Sequence, residues 1–196
     1  FMTQSQLGQM SASILDFYRL DIPFVANEFI STQTLLFFAF CLAFAIKVPM
    51  FPVHTWLPDA HVEAPTAGSV ILAGVMLKLG TYGFVRFNLG MFPQAAVQAA
   101  PILAVLAVIG IIYGALGCLA QTDMKRLIAF SSVAHMGYVM LGISTLTKHG
   151  INAAMFGMVA HGLITGMLFF VAGSVKDRFH TLEIKRLGGM LIQMPK

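Results

Sequence analysis

The chain has 196 residues, 58% of them hydrophobic and only 10% charged, with a formal net charge of +4 and a mean hydropathy of +0.82. Ordinary globular chains carry roughly 25% charged residues. A water-solvated surface cannot be built from this composition, so a soluble enzyme is excluded. The basic residues lie mainly between and after the apolar runs, which orients a membrane protein and gives no footing for nucleic acid.

Residues 1–33 are mixed in character. Asp16, Arg19, Asp21, Pro23 and Glu28 interrupt them too often for a membrane span, so this stretch predicts an extramembrane segment with one short surface helix. Five apolar runs follow, at about 34–56, 68–87, 101–121, 127–146 and 151–175. Each is near the roughly 20 residues that a membrane-spanning helix needs. Pro65 suits the first turn of the second helix and Pro101 the start of the third, where a missing N–H costs little. Thr122 or Asp123 can cap the fourth. Residues 176–196 read as a tail. The expected fold is all-α, a polytopic transmembrane bundle of about five spans with one broken by proline. Opening on Phe1 and ending on Lys196, the chain reads as an internal piece of a longer protein.

Orientation follows from the basic residues. Lys125, Arg126, Lys176, Arg178, Lys185 and Arg186 share one side, against Arg19, Arg86 and Lys148 on the other. The richer side is expected to be cytoplasmic or its equivalent, which puts HTWLPDAH and the tail inside. Gly110 with Gly114, and Gly162 with Gly166, form GxxxG pairs suited to close helix packing.

The depth of the ionisable groups is the most informative pattern. Lys47, Lys78, His135 and His161 fall near the middles of the first, second, fourth and fifth runs. A lysine at the bilayer centre costs roughly 2.5–3.5 kcal/mol on insertion scales. Neither lysine is near enough to the end of its run to snorkel. A mid-membrane histidine can simply hydrogen-bond a neighbouring helix, but the shared depth points to function for the set. Ser131, Ser132, Tyr138 and Thr165 add hydroxyls near the same level.

Pro49 and Pro52 break the first run beside Lys47. Pro49 removes the helical partner of the Ala45 carbonyl, and Pro52 that of Val48. Broken backbone at membrane depth is tolerated where it lines a polar cavity or is buried in protein. The freed carbonyls are expected to receive the Lys47 ammonium or water around it. Buried lysines whose counter-charge varies, and histidines, exchange protons near neutral pH. A row of them at one depth makes a lateral proton wire. The counter-carboxylate is expected on a helix outside this chain, since Asp59 and Glu63 lie too near the surface.

His54, Asp59 and His61 are metal-ligand types, but their spacing matches no familiar site and they read as an interfacial turn, with Trp56 in the headgroup zone. Cys41 and Cys118 form no CxxC pair and suggest neither a disulfide framework nor an iron–sulfur site. No GxGxxG, Walker A or GxSxG pattern appears, so no cofactor or metal is expected in this chain.

AIKVPMFPVHTWLPDAHVEAPTAGSVILAGVMLKLGTYGF closely resembles the antiporter-like membrane subunits of respiratory complex I, the NADH:quinone oxidoreductase. TDMKRLIAFSSVAHMGYV and MVAHGLITGMLFF continue the likeness. Within that family the chain is most similar to the subunit M (chain 4) branch. The resemblance implies two inverted repeats, each with a broken helix. It matches Lys47 to the broken-helix lysine, Lys78 to the connecting lysine, and His135 and His161 to a polar central axis. The family's partner glutamate and its second-repeat ionisable residue are expected outside these residues. NAD, flavin, iron–sulfur clusters and quinone are expected in other subunits, with neighbouring complex I membrane subunits and lipid as partners. The expected location is a bacterial cell membrane or the mitochondrial inner membrane. The implied function is proton translocation coupled to electron transfer elsewhere. The alternatives are a large subunit of a multi-subunit cation/proton antiporter, or a structural membrane subunit without a proton path.

Overall fold

The computed structural model describes residues 2–25 and 31–188. Glu28 and the tail beyond residue 188, both used in the sequence reading, lie outside the described residues. The described chain is nearly all helical. Two short helices, α1 (Met2–Leu7) and α2 (Ile14–Phe17), precede a longer α3 (Thr32–Lys47) and a short α4 (Trp56–Glu63). Four helices long and apolar enough to cross a membrane follow: α5 (Thr66–Leu89), α6 (Pro93–Leu119), α7 (Met124–Ser144) and α8 (Lys148–Phe179).

The first predicted span is two helices. At ~1.5 Å per residue, the 16 residues of α3 fall short of a bilayer core of about 30 Å. α4 supplies the remaining length after the break. Ser31 caps α3, its hydroxyl accepting the Thr34 N–H at 3.2 Å. Pro49 and Pro52 stop the helix from continuing past Lys47.

Two other expectations are corrected. Pro65 is the cap residue that precedes α5 and does not sit in its first turn. α6 begins at Pro93, and Pro101 lies inside it. The intervening QAAVQAA stretch is rich in alanine, the best helix former, and carries the helix upstream of Pro101. Helix α5 contains π-helical turns at Leu72–Met76 and Phe84–Leu89, which the apolar pattern did not reveal.

Helix α7 lies between α6 and α8 and also packs on α4. Small residues permit this. A Cβ on Gly114 of α6 would stand 2.7 Å from the Ala134 nitrogen of α7. Asp123 caps α7 by accepting the Arg126 N–H at 3.0 Å. The outward faces of α6 and α8 expose Val105, Ile112, Leu116, Phe156, Leu163 and Met167, as lipid-facing helices do.

Loops gather at two ends. At one, Lys125 donates to the Ala64 carbonyl at 2.8 Å and Arg126 pairs with Asp59 at 2.8 Å. There the stretch after α8 also pairs with the start of α7, Met124 N–H donating to Leu182 and Ile184 N–H to Thr122. At the other, the Tyr18 hydroxyl donates to the Arg86 carbonyl at 2.7 Å, with the Arg86 guanidinium 5.7 Å from the Tyr18 ring centre.

Candidate proton-transfer site

Lys78 lies on α5 between the two π segments, and His161 is near the middle of α8. The Lys78 ammonium is 2.7 Å from Nδ1 of His161 and also donates to the carbonyl of Ala73, which belongs to the first π segment. Two glycines bring these helices together: a Cβ on Gly162 would lie 2.8 Å from the Gly74 carbonyl. With Lys78 donating, His161 accepts at Nδ1 and carries its proton on Nε2. Nε2 is buried and makes no hydrogen bond among the described residues.

His135 of α7 continues the row. Its ring centre is 5.6 Å from that of His161, too far for a direct hydrogen bond but within reach of one bridging water. A cavity of about 540 Å³ opens between α7 and α8, lined by Ser131, His135, Tyr138, His161 and Thr165. Ser131 and Ser132 both donate to the Ile128 carbonyl, their hydroxyls turned back into their own helix.

Lys47 packs against α5 at Gly80. It is the last residue of α3 and does not sit mid-helix. Its Cβ is 3.0 Å from where a Cβ of Gly80 would be, only two residues from Lys78 on α5. Gly80 and Lys78, two residues apart, face nearly opposite sides of α5, so α5 stands between Lys47 and the Lys78–His161 pair. Among the described residues neither lysine meets a carboxylate within ion-pair distance.

The helix break itself departs from expectation. Past Pro49 the chain turns back, so the Met50 N–H reaches the Ala45 carbonyl at 2.9 Å. The Trp56 indole N–H reaches the Ile46 carbonyl at 3.0 Å. Of the two carbonyls expected to hold the Lys47 ammonium, that of Ala45 therefore already has a donor. Through its indole bond Trp56 ties the start of α4 to the last turn of α3. Pro49 is buried and Pro52 exposed. His54, Asp59 and His61 diverge: His54 packs edge-on against Tyr113 of α6, Asp59 pairs with Arg126 of α7, and His61 stacks on Phe169 of α8. Gly80 and the Ala73 carbonyl were missed in the sequence, where only the LKLG spacing hinted at a small residue beside Lys78.

A multi-pass helical bundle with a broken span, a half-buried lysine bonded to a buried histidine, and an exposed His135 beside them fits a membrane protein of the antiporter-like class. The chain belongs to the family described as NADH:quinone oxidoreductase/Mrp antiporter, transmembrane, which matches residues 8–196. It is 53% identical over 182 residues to NADH-quinone oxidoreductase subunit M of Rhodobacter capsulatus, covering 92% of this chain and 36% of that protein. It is 52% identical over 167 residues to NAD(P)H-quinone oxidoreductase chain 4 1 of Synechococcus sp. (strain JA-2-3B'a(2-13)), covering 85% and 32%. In structure it matches a chain of respiratory complex I from Thermus thermophilus with bound NADH at a TM-score of 0.87 and 34% identity, covering 98% and 40%. It shares the fold of a chain in the Mrp complex from Dietzia sp. DQ12-45-1b at a TM-score of 0.75 and 24% identity, covering 83% and 30%. The chain thus spans about a third of the length of the curated relatives it matches.

Proposed function

We propose that this chain carries part of the proton path of a subunit M-type membrane subunit of NADH:quinone oxidoreductase. Protons move along Lys47, Lys78, His161 and His135, driven by electron transfer in other subunits that hold the NAD, flavin, iron–sulfur clusters and quinone. Neighbouring membrane subunits of that complex and lipid are its partners.

The contact between Lys78 and His161 carries this reading. It is a direct hydrogen bond at 2.7 Å between two titratable side chains of different spans, far from either surface. Transfer along it leaves a neutral amine on Lys78 and an imidazolium on His161, which then releases its Nε2 proton toward His135. A purely structural subunit gains nothing from a half-buried lysine at that depth.

Cation/proton exchange is the second reading, favoured by the family's inclusion of Mrp antiporters and the shared fold. Proton uptake by sealed membrane vesicles separates the two. Pumping that requires NADH and quinone and falls in K78A and H161F supports the complex I reading. Sodium-for-proton exchange without electron transfer supports the antiporter. Unchanged pumping in both variants overturns the proton path.

A further inference from the structure

A second buried basic cluster lies where α4, α5, α7 and α8 meet, toward the end richer in basic residues. His61, in the last turn of α4, is 0% exposed. Its ring stacks on Phe169 of α8, centres 4.3 Å apart and planes 19° apart. Neither ring nitrogen has a hydrogen-bond partner among the described residues. The Ser69 hydroxyl of α5 donates to the His61 backbone carbonyl at 3.2 Å, and Lys125 of α7, 1% exposed, donates to nearby Ala64. Leaving a buried polar atom unpaired costs about 1–3 kcal/mol. A phenylalanine would fill the stack without that cost, so packing alone does not account for an imidazole here.

Connectivity supplies the second observation. Phe169 shares one buried group with Ala73, Ile128 and Ala172. Ala73 is the residue whose carbonyl accepts from the Lys78 ammonium. The His61 ring and the anchor of Lys78 are therefore two sides of one packed cluster.

We propose that His61 is a proton relay between the membrane face richer in basic residues and Lys78, a role that presupposes Lys78 as a proton carrier. A proton from that face binds one ring nitrogen and gives an imidazolium. The proton on the other nitrogen then leaves, returning the ring to a neutral tautomer, and ends on the neutral Lys78 amine as an ammonium. Phe169 is eight residues from His161 along α8, about 12 Å at ~1.5 Å per residue. The path from His61 to the row is thus longer than one hydrogen bond and is carried by water that enters between the helices. The nearby Lys125 ammonium repels a resident imidazolium, which favours passage over storage.

The test measures protons pumped per quinone reduced in sealed vesicles carrying the complete membrane complex, for the parent, H61F, H61Q, H61G and K78A. H61F keeps the stack on Phe169; H61Q keeps polar atoms that cannot cycle a proton. Both are expected to fall to the K78A level while uncoupled quinone reduction stays within about twofold of the parent, and added imidazole is expected to restore pumping in H61G. Parent-like pumping in H61F or H61Q, with K78A impaired, overturns the relay and leaves the Lys78 path standing. Parent-like pumping in K78A overturns the path and the relay with it. Should H61F fail to assemble, H61Q and the imidazole response decide: normal pumping in H61Q, or an H61G loss that imidazole does not move, makes His61 structural and overturns the relay.

Discussion

Gly80 has no room for a side chain because Lys47 lies against it: a Cβ there would stand 3.0 Å from the Lys47 Cβ and 2.8 Å from Cγ2 of Val48. This glycine holds the end of α3 at the level of Lys78. G80V is expected to force the two helices apart, costing about 1–3 kcal/mol for an overpacked site. The measurement is retention of the intact membrane complex on heating in detergent. G166A is the control, since its Cβ would meet nothing closer than 3.9 Å, and it is expected to stay within about 0.5 kcal/mol of the parent.

On the proposed path Lys78 and His161 act on one proton, which makes their losses non-additive. K78A and H161F are each expected to lower pumping, and the double variant to pump no worse than the weaker single. Vesicle pumping assays on all four forms of the cycle check this. Losses that multiply would place the two residues on separate paths.

The seal at the helix break rests on an indole. W56F keeps the ring but removes the N–H that the Ile46 carbonyl accepts. No water replaces it in a lipid environment. A loss of about 1–3 kcal/mol is expected, read as a lower temperature of complex dissociation. A tryptophan serving only as a headgroup anchor would tolerate phenylalanine.

Adjacent cations at the start of α7 are expected to differ sharply. Lys125 is buried and holds the Ala64 carbonyl, so K125M leaves a buried acceptor unpaired and costs about 1–3 kcal/mol. Arg126 and Asp59 form an ion pair with 46% and 71% of their side chains exposed, and R126A is expected to cost under about 1 kcal/mol. Heating the two variants side by side gives the comparison.

Much of the architecture was legible in the chain. Charge scarcity and run length marked the spans, and the prolines marked the break, because both act locally and need no partner to be recognised. The edges were less legible: α6 starts at Pro93 because alanine-rich sequence overrides the usual position of a proline such as Pro101. The π turns of α5 left no trace in the apolar pattern, since a one-residue widening barely changes periodicity. The bond from Trp56 across the break was not legible, because an indole suits the headgroup zone and a carbonyl at a break equally well. Only the returning chain after Pro49 selects Ile46 as its partner.

By itself, then, the sequence determined that this is a membrane-embedded helical protein, because transfer into lipid depends on residue type and position along a run. The tertiary structure alone decided that Lys78 meets His161, that Lys47 packs on Gly80, and that His61 and Lys125 are buried. Those relations depend on how helices approach one another and on which face each presents, and such geometry is set by packing between residues distant in the chain.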